Sequence, residues 1–162
     1  MNVTFIQGGI LQIDDARIIF RNFSGAPSKF NREGDRNFAV VIPDEEIADA
    51  LVKEGWNVKV RPPRDDDDSP FMYLPVKVKF NVRGPNVYLV SGNVQNKLDE
   101  DTVGCLDNID IRSVDMDIQA YDWVRQEGRP DEKRGRTAYL QAIRVHQEID
   151  RFAERHDDVP FN

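Results

Sequence analysis

The chain has 162 residues, 40% of them apolar and 31% charged, with a net charge of −7, which suits a single domain with a core and excludes a disordered or fibrous chain. One cysteine, Cys105, and two histidines, His146 and His156, exclude an internal disulfide and a cysteine–histidine zinc cluster, and they fit a reducing, cytoplasmic setting. The opening "MNVTFIQGGILQIDD" lacks the order of a signal peptide, and no apolar run nears the roughly 18 residues of a membrane span, so neither leader nor membrane contact is expected.

In chain order, "ARIIFRNFSG" reads as a strand ending at Ser-Gly, and "APSKFNREGD" carries turn chemistry. "RNFAVVI" is a second strand, paired with the first across a long basic loop. "PDEEIADALVKEG" is the helix: Asp44 caps it, Glu45 and Glu46 suit its first turn, Ile47, Ala48, Leu51 and Val52 share a face, and Gly55 stops it. "WNVKVR" is a short strand and "PPRDDDDSP" a loop. "YLPVKVKFNVRG" alternates strictly from Val76 to Arg83, with Val76, Val78, Phe80 and Val82 on one face and Lys77, Lys79, Asn81 and Arg83 on the other. After "GPN", "VYLVSG" is expected to pair back on that strand, and "NKLDEDTVG" to form a short helix. "IDIRSVDMDIQAYDWV" alternates with a phase slip near Ser113, the sign of a β-bulge. "RQEGRPDEKRGR" is a polar hairpin loop, and "TAYLQAIRVHQ" is the last strand.

Six or seven strands with one helix and no βα alternation argue against a parallel α/β sheet. The expected fold is mainly β: an OB-fold-like antiparallel five-stranded barrel with extra strands, long hairpin loops and one α-helix. Residues 1–147 would form this domain, and residues 148–162 an acidic C-terminal tail.

An acidic total argues against a nucleic-acid partner, but the charge is unevenly spread. Residues 17–36 hold five basic groups against two acids, and residues 53–64 hold four basic groups among five charges. Basic groups on adjacent strands and two hairpin loops would line one groove, tracking phosphates while aromatic rings stack on bases. The candidate nucleic-acid-binding residues are Lys29, Phe30, Arg32, Arg36, Lys59, Arg61, Arg64, Lys77, Lys79, Arg83, Tyr88, Trp123, Arg134, Arg136 and Tyr139. Trp56, Tyr73 and Tyr121 also lie near these charges, as do Arg125, Arg129 and Lys133. Most of the aromatics would be core, and two or three would be stacking platforms.

Other chemistry is thinner. The four aspartates at 65–68 lack the glycine and glutamate spacing of a calcium loop and read as a solvated loop. Asp110, Asp115 and Asp117 would be the ligands of a metal-dependent nuclease, one alternative. An acidic protein-binding inhibitor module is the other. Cys105 and His146 read as structural, and no phosphate loop, serine elbow or dinucleotide fingerprint occurs. No metal or cofactor is expected, nor enzymatic activity.

The chain closes on "DDVPFN". Asp157, Asp158, Val159, Pro160 and Phe161 resemble the acidic tip of bacterial single-stranded DNA-binding proteins, in which the phenylalanine docks into pockets on replication and repair enzymes. Here Asn162 follows Phe161, and "EIDRFAERH" stands in place of a long linker; Ile149, Phe152 and Ala153 would share a face if it is helical. The segments "FSGAPSKFNREGDRNFAVVIPDEEIADAL", "LPVKVKFN" and "GRTAYLQAIRVHQEIDRF" resemble single-strand-binding proteins of bacteriophages. That resemblance implies an OB-fold, single-stranded DNA as partner, and a role in phage DNA replication or recombination in a bacterial cytoplasm. It also implies partner proteins met through the tip, and it is compatible with a homo-oligomer. The acidic tail is further expected to compete with DNA for the basic groove.

Overall fold

Alternation of apolar and polar residues sets the strands, and local turn chemistry ends them. In the computed structural model, which describes residues 1–62, 65–66 and 70–149, the elements are β1 (Asn2–Ile6), β2 (Ile10–Ala16), β3 (Ile18–Asn22), β4 (Arg36–Ile42), α1 (Glu45–Lys53), β5 (Lys59–Arg61), β6 (Phe71–Val78), β7 (Asn86–Ser91), β8 (Val94–Leu98), a 3₁₀ turn (Val103–Asp107), β9 (Ile111–Arg125) and β10 (Lys133–Gln147). Arg64 and the tip residues Asp157, Asp158, Val159, Pro160 and Phe161 lie outside the described residues, as does most of the tail segment 148–162 and of the loop 63–69.

The helix forms where its local signals place it. Asp44 accepts the Ile47 N–H at 2.8 Å, Ala48 and Leu51 are buried, and Gly55 leaves the helix at φ +96°, a value that favours glycine. β4 coincides with "RNFAVVI", burying Phe38, Val40 and Ile42. The hairpin of β1 and β2, which turns at Gly8 and Gly9, was not foreseen.

The sheet runs β1-β2-β9-β10-β6-β4-β3, with β5 on β6, and with β7 joining β10 to β8. Among the described residues this path does not close on itself. Most pairs are antiparallel, but β10 runs parallel to both β6 and β7. β9 and β10 form the longest pair, an arm reaching Arg125 and Lys133. The expected bulge is there: Ser113 pairs with His146 and Ile111 with Gln147, leaving Arg112 as the extra residue.

Three local expectations are corrected. "VYLVSG" does not pair back on the preceding strand; β7 lies along β10 instead. The reason is a small excursion closed by the Asn81–Gly84 bridge, which returns the chain to its former direction rather than reversing it. The alternation therefore ends at Val78, and Val82 sits fully exposed at the tip of that turn. The segment read as a helix at "NKLDEDTVG" starts instead as β8. Asp99 then accepts the Asp101 and Thr102 N–H groups at 2.9 and 3.0 Å, a side-chain turn that competes with helix formation, and the 3₁₀ turn starts only at Val103.

The core lies between the inner faces of the strands and α1. Phe23 and Phe38 stack with ring centroids 5.1 Å apart, and Leu11, Leu51, Leu74 and Ile118 are fully or almost fully buried, each contributing about 1.5–3 kcal/mol by its removal from water. Among the described residues no buried side-chain polar atom lacks a hydrogen-bond partner, and no helix is long and apolar enough to cross a membrane.

Candidate nucleic-acid interface

The outer face of the sheet follows from the same alternation. β4 turns Phe38 and Val40 inward, so Asn37, Ala39 and Val41 face out; β6 turns Leu74, Val76 and Val78 inward, so Tyr73, Pro75 and Lys77 face out. Register then pairs Asn37 with Lys77, Ala39 with Pro75 and Val41 with Tyr73. β5 sets Lys59 beside Tyr73 and Arg61 beside Phe71, and β10 sets Tyr139 beside Lys77. Small Ala39 and flat Pro75 leave the middle low.

The result is an open groove of about 1060 Å³, lined among others by Phe20, Phe30, Tyr73, Phe80 and Tyr139, by Arg36, Lys59, Lys77 and Lys79, and by the acids Asp35 and Glu100. Phe20 meets Tyr73 edge-on, with centroids 5.5 Å apart and planes at 82°. Aromatic faces interleaved with lysines can stack bases and neutralise phosphates along one track.

One wall is the loop between β3 and β4. The Asn31 amide donates to the carbonyls of Ala26, Arg32 and Asp35 at 2.9, 3.0 and 3.0 Å. The Asp107 carboxylate accepts the Phe23 and Ser24 N–H groups at 2.7 and 3.0 Å. Gly25, at φ +71°, lies so close to the Gly34 backbone that a Cβ would sit 3.0 Å from it. This bonded loop presents Phe30 at 93% exposure, with the Lys29 ammonium 5.7 Å from its ring.

Beyond Tyr139 the same face continues along the β9–β10 arm. Tyr121 meets Tyr139 edge-on at 6.2 Å. Trp123 pairs across to Gly135, donates its indole N–H to Thr137 Oγ1 at 3.2 Å, and has the Arg125 guanidinium 5.0 Å from its ring. The stripe Tyr139–Tyr121–Trp123 thus extends the groove outward.

The structure brings Phe30, Arg36, Lys59, Lys77, Lys79 and Tyr139 of the expected set into one groove, with Arg61 one strand step from Lys59. Lys29 and Arg32 are exposed on the loop wall. Arg36 is partly committed, donating to the Phe23 carbonyl and packing over Phe80. Others lie elsewhere. Arg83 sits in the turn after β6, and Tyr88 on β7 stands between Arg144 and Lys97. Arg134 pairs with Glu132 at 3.2 Å. Arg136 is turned away from the groove: it forks onto Asp122 at 2.7 and 3.1 Å, donates to the Glu54 carbonyl at 2.7 Å, and covers the buried Trp56 ring at 5.1 Å. Its hydrogen bonds hold the Asp122 carboxyl below its ordinary value. The groove also contains Phe20, Tyr73 and Phe80; the sequence places Tyr73 among the aromatics near the charges without assigning it to the site, alternation puts Phe80 on the apolar face opposite the lysines, and no sequence signal marks Phe20.

The acids do not assemble. Among the described residues no three His, Cys, Asp or Glu side chains are placed to hold a metal ion. Asp115 is engaged by the Asp15 N–H at 2.9 Å and by His146 at 3.0 Å; burial pushes its carboxyl up, and those bonds outweigh it, bringing the net shift downward.

A family described as "Putative phage ssDNA-binding domain" matches residues 2–162. No curated protein matches the chain by sequence. Among solved structures, the single-stranded DNA-binding protein from bacteriophage Enc34, with a C-terminal truncation, is similar with a TM-score of 0.52 and 10% identity over 89% of each chain. The single-stranded DNA-binding protein from bacteriophage Enc34 in complex with ssDNA gives 0.48 and 9%, also over 89% of each chain. At such identity the first match speaks to fold, and the fold is OB-like: mainly β, with one helix among the described residues and an open sheet.

Proposed function

The chain belongs to the phage ssDNA-binding domain family and is a single-stranded DNA-binding protein; from that premise we propose that it holds the strand in the groove of β3, β4, β6 and β10 and along the β9–β10 arm. The observation that carries this reading is the interleaving of Phe20, Tyr73 and Tyr139 with Lys59, Lys77 and Lys79 on one outer face. Lysines capture phosphates by releasing counterions, and rings stack on bases irrespective of sequence. Duplex DNA keeps its bases paired inside and offers no such faces.

The role is non-enzymatic: protection of exposed strands during phage DNA replication or recombination, in the cytoplasm of a bacterial host. Asp157, Asp158, Val159, Pro160 and Phe161 would recruit replication or repair proteins, a reading that rests on the sequence of the tip. Of the candidate nuclease ligands Asp110, Asp115 and Asp117, Asp115 is engaged by the Asp15 N–H and His146, which favours the binding reading over a nuclease.

Fluorescence anisotropy with labelled oligo-dT and with a duplex of equal length tests the reading. Three groove lysines predict a log–log salt slope of about −2 for the single strand, from roughly 0.7 per phosphate neutralised. Equal affinity for the duplex, or binding indifferent to salt, would refute it.

A further inference from the structure

Phe20 stands where a fold selected for stability alone would place glycine. Three non-glycine residues among those described take positive φ: Asp15, Phe20 and Gln126, at 53°, 52° and 56°. Phe20 is the bulky one, and a bulky residue in the left-handed region is a true outlier. Its place explains the conformation. Ile19 pairs with Ala39 and Asn22 with Asn37, so Phe20 and Arg21 together oppose Phe38 alone, which is a β-bulge.

The two bulge residues both line the groove but have different partners. The Arg21 guanidinium donates from Nη1 to the carbonyls of Leu106 and Ile109, both at 2.7 Å. This tethers the bulge to the 3₁₀ turn and fixes its backbone. Phe20 is thrown outward into the groove, where its ring stays 55% exposed, 5.5 Å from Tyr73 and 6.5 Å from Phe71. The chain thus bears both a disfavoured backbone and a half-exposed apolar ring at one position. Strain retained by surrounding contacts collects at functional sites.

We propose that Phe20 is a base-stacking platform of the DNA groove, aimed by the bulge and held there by Arg21 at a cost to fold stability. The proposal rests on the groove reading above and adds to it a residue that stability opposes and binding retains.

The test compares the full chain with Phe20→Gly, Phe20→Ala and Phe20→Trp, and with Tyr139→Ala as a groove control, by oligo-dT anisotropy and thermal unfolding. Glycine and alanine both remove the ring, but only glycine relieves the backbone. Both should weaken binding about 5- to 150-fold, the equivalent of one lost base stack. Phe20→Gly should melt about 2–4 °C above Phe20→Ala, and Phe20→Trp should bind like the wild type. Wild-type affinity in Phe20→Gly and Phe20→Ala, alongside a weakened Tyr139→Ala, would overturn the proposal and leave the groove standing. Unchanged affinity in all of them would overturn both. A Phe20→Gly protein no more stable than Phe20→Ala would overturn the stability cost. Should the small variants fail to fold, photocrosslinking of the wild-type chain to 5-iododeoxyuridine oligo-dT decides: adducts at Phe20 support the proposal, and adducts that omit it refute it.

Discussion

Lys77 on β6 stands in register with Tyr139 on β10, where two parallel strands meet on the outer face. Lys77 has no ion-pair partner among the described residues, and Tyr139 leans edge-on against Tyr121. The pair joins the groove floor to the arm, so both halves of the binding mechanism operate at one point. Their substitutions should separate. Lys77→Ala should flatten the log–log salt slope by about 0.7, the loss of one phosphate contact. Tyr139→Ala should cost about 1–3 kcal/mol of affinity and leave that slope unchanged. Titrations at several salt concentrations read both effects.

Arg136 predicts the reverse phenotype. Its guanidinium is spent on Asp122, the Glu54 carbonyl and Trp56. Arg136→Ala should lower stability by about 1–2 kcal/mol, mostly through the lost carbonyl bond and ring packing, since a pair with an exposed carboxylate contributes little alone. Oligo-dT affinity should change less than about twofold, a ratio worth roughly 0.4 kcal/mol.

The same pair fixes a pH dependence. Hydrogen bonds from Arg136 hold the Asp122 carboxyl below its ordinary 3.8, against a smaller push upward from burial. A carboxylate with a depressed folded value binds protons more weakly in the native state than in the unfolded chain. Its contribution is therefore complete above the ordinary value and is lost as pH falls through the folded one. The melting-temperature gap between wild type and Arg136→Ala should hold steady from about pH 5 to 8 and narrow below the ordinary carboxylate range. Thermal scans across that range check it; a gap that changes near neutrality would assign it to another group.

Trp123 lies against Gly135 so closely that a Cβ there would fall 2.3 Å from its Cζ2. Gly135→Ala should displace the indole, break its bond to Thr137 and shift its emission. Trp56 is buried at 4% exposure, so Trp123 is the tryptophan that DNA can reach. Saturable quenching by oligo-dT should survive Trp56→Phe and be altered by Gly135→Ala.

Removal of residues 157–162 takes away two acids and Phe161. If the acidic tip competes with DNA for the basic groove, the truncated chain should bind oligo-dT more tightly at low salt, with the gain fading as salt screens the contact. Equal affinity at low salt would discard that competition.

Local signals were legible in the sequence. Asp44 and Gly55 mark the helix ends, and β4 could be read because Phe38, Val40 and Ile42 alternate with smaller or polar residues. Long-range pairings were not. β7 joins β10 across more than fifty residues, and nothing in "GPN" distinguishes an excursion from a reversal. Arg136 looked like a DNA cation because its partners Asp122, Glu54 and Trp56 come from separate segments. Phe20 left no sign because a left-handed bulge residue is ordinarily announced by glycine. Lys77 stood out because the alternation of β6 alone assigns it to the outer face.

The most direct measurement is backbone amide shift mapping by NMR as oligo-dT of about 15 nucleotides, within the range of one OB-fold site, is added to the full chain. The account predicts perturbations concentrated at residue 20, at 37–39 and 73–79, and at 139, continuing along the arm to 121 and 123. Perturbations centred instead on Tyr88 of β7, Lys97 of β8 and Arg144 of β10, with the groove silent, would contradict it.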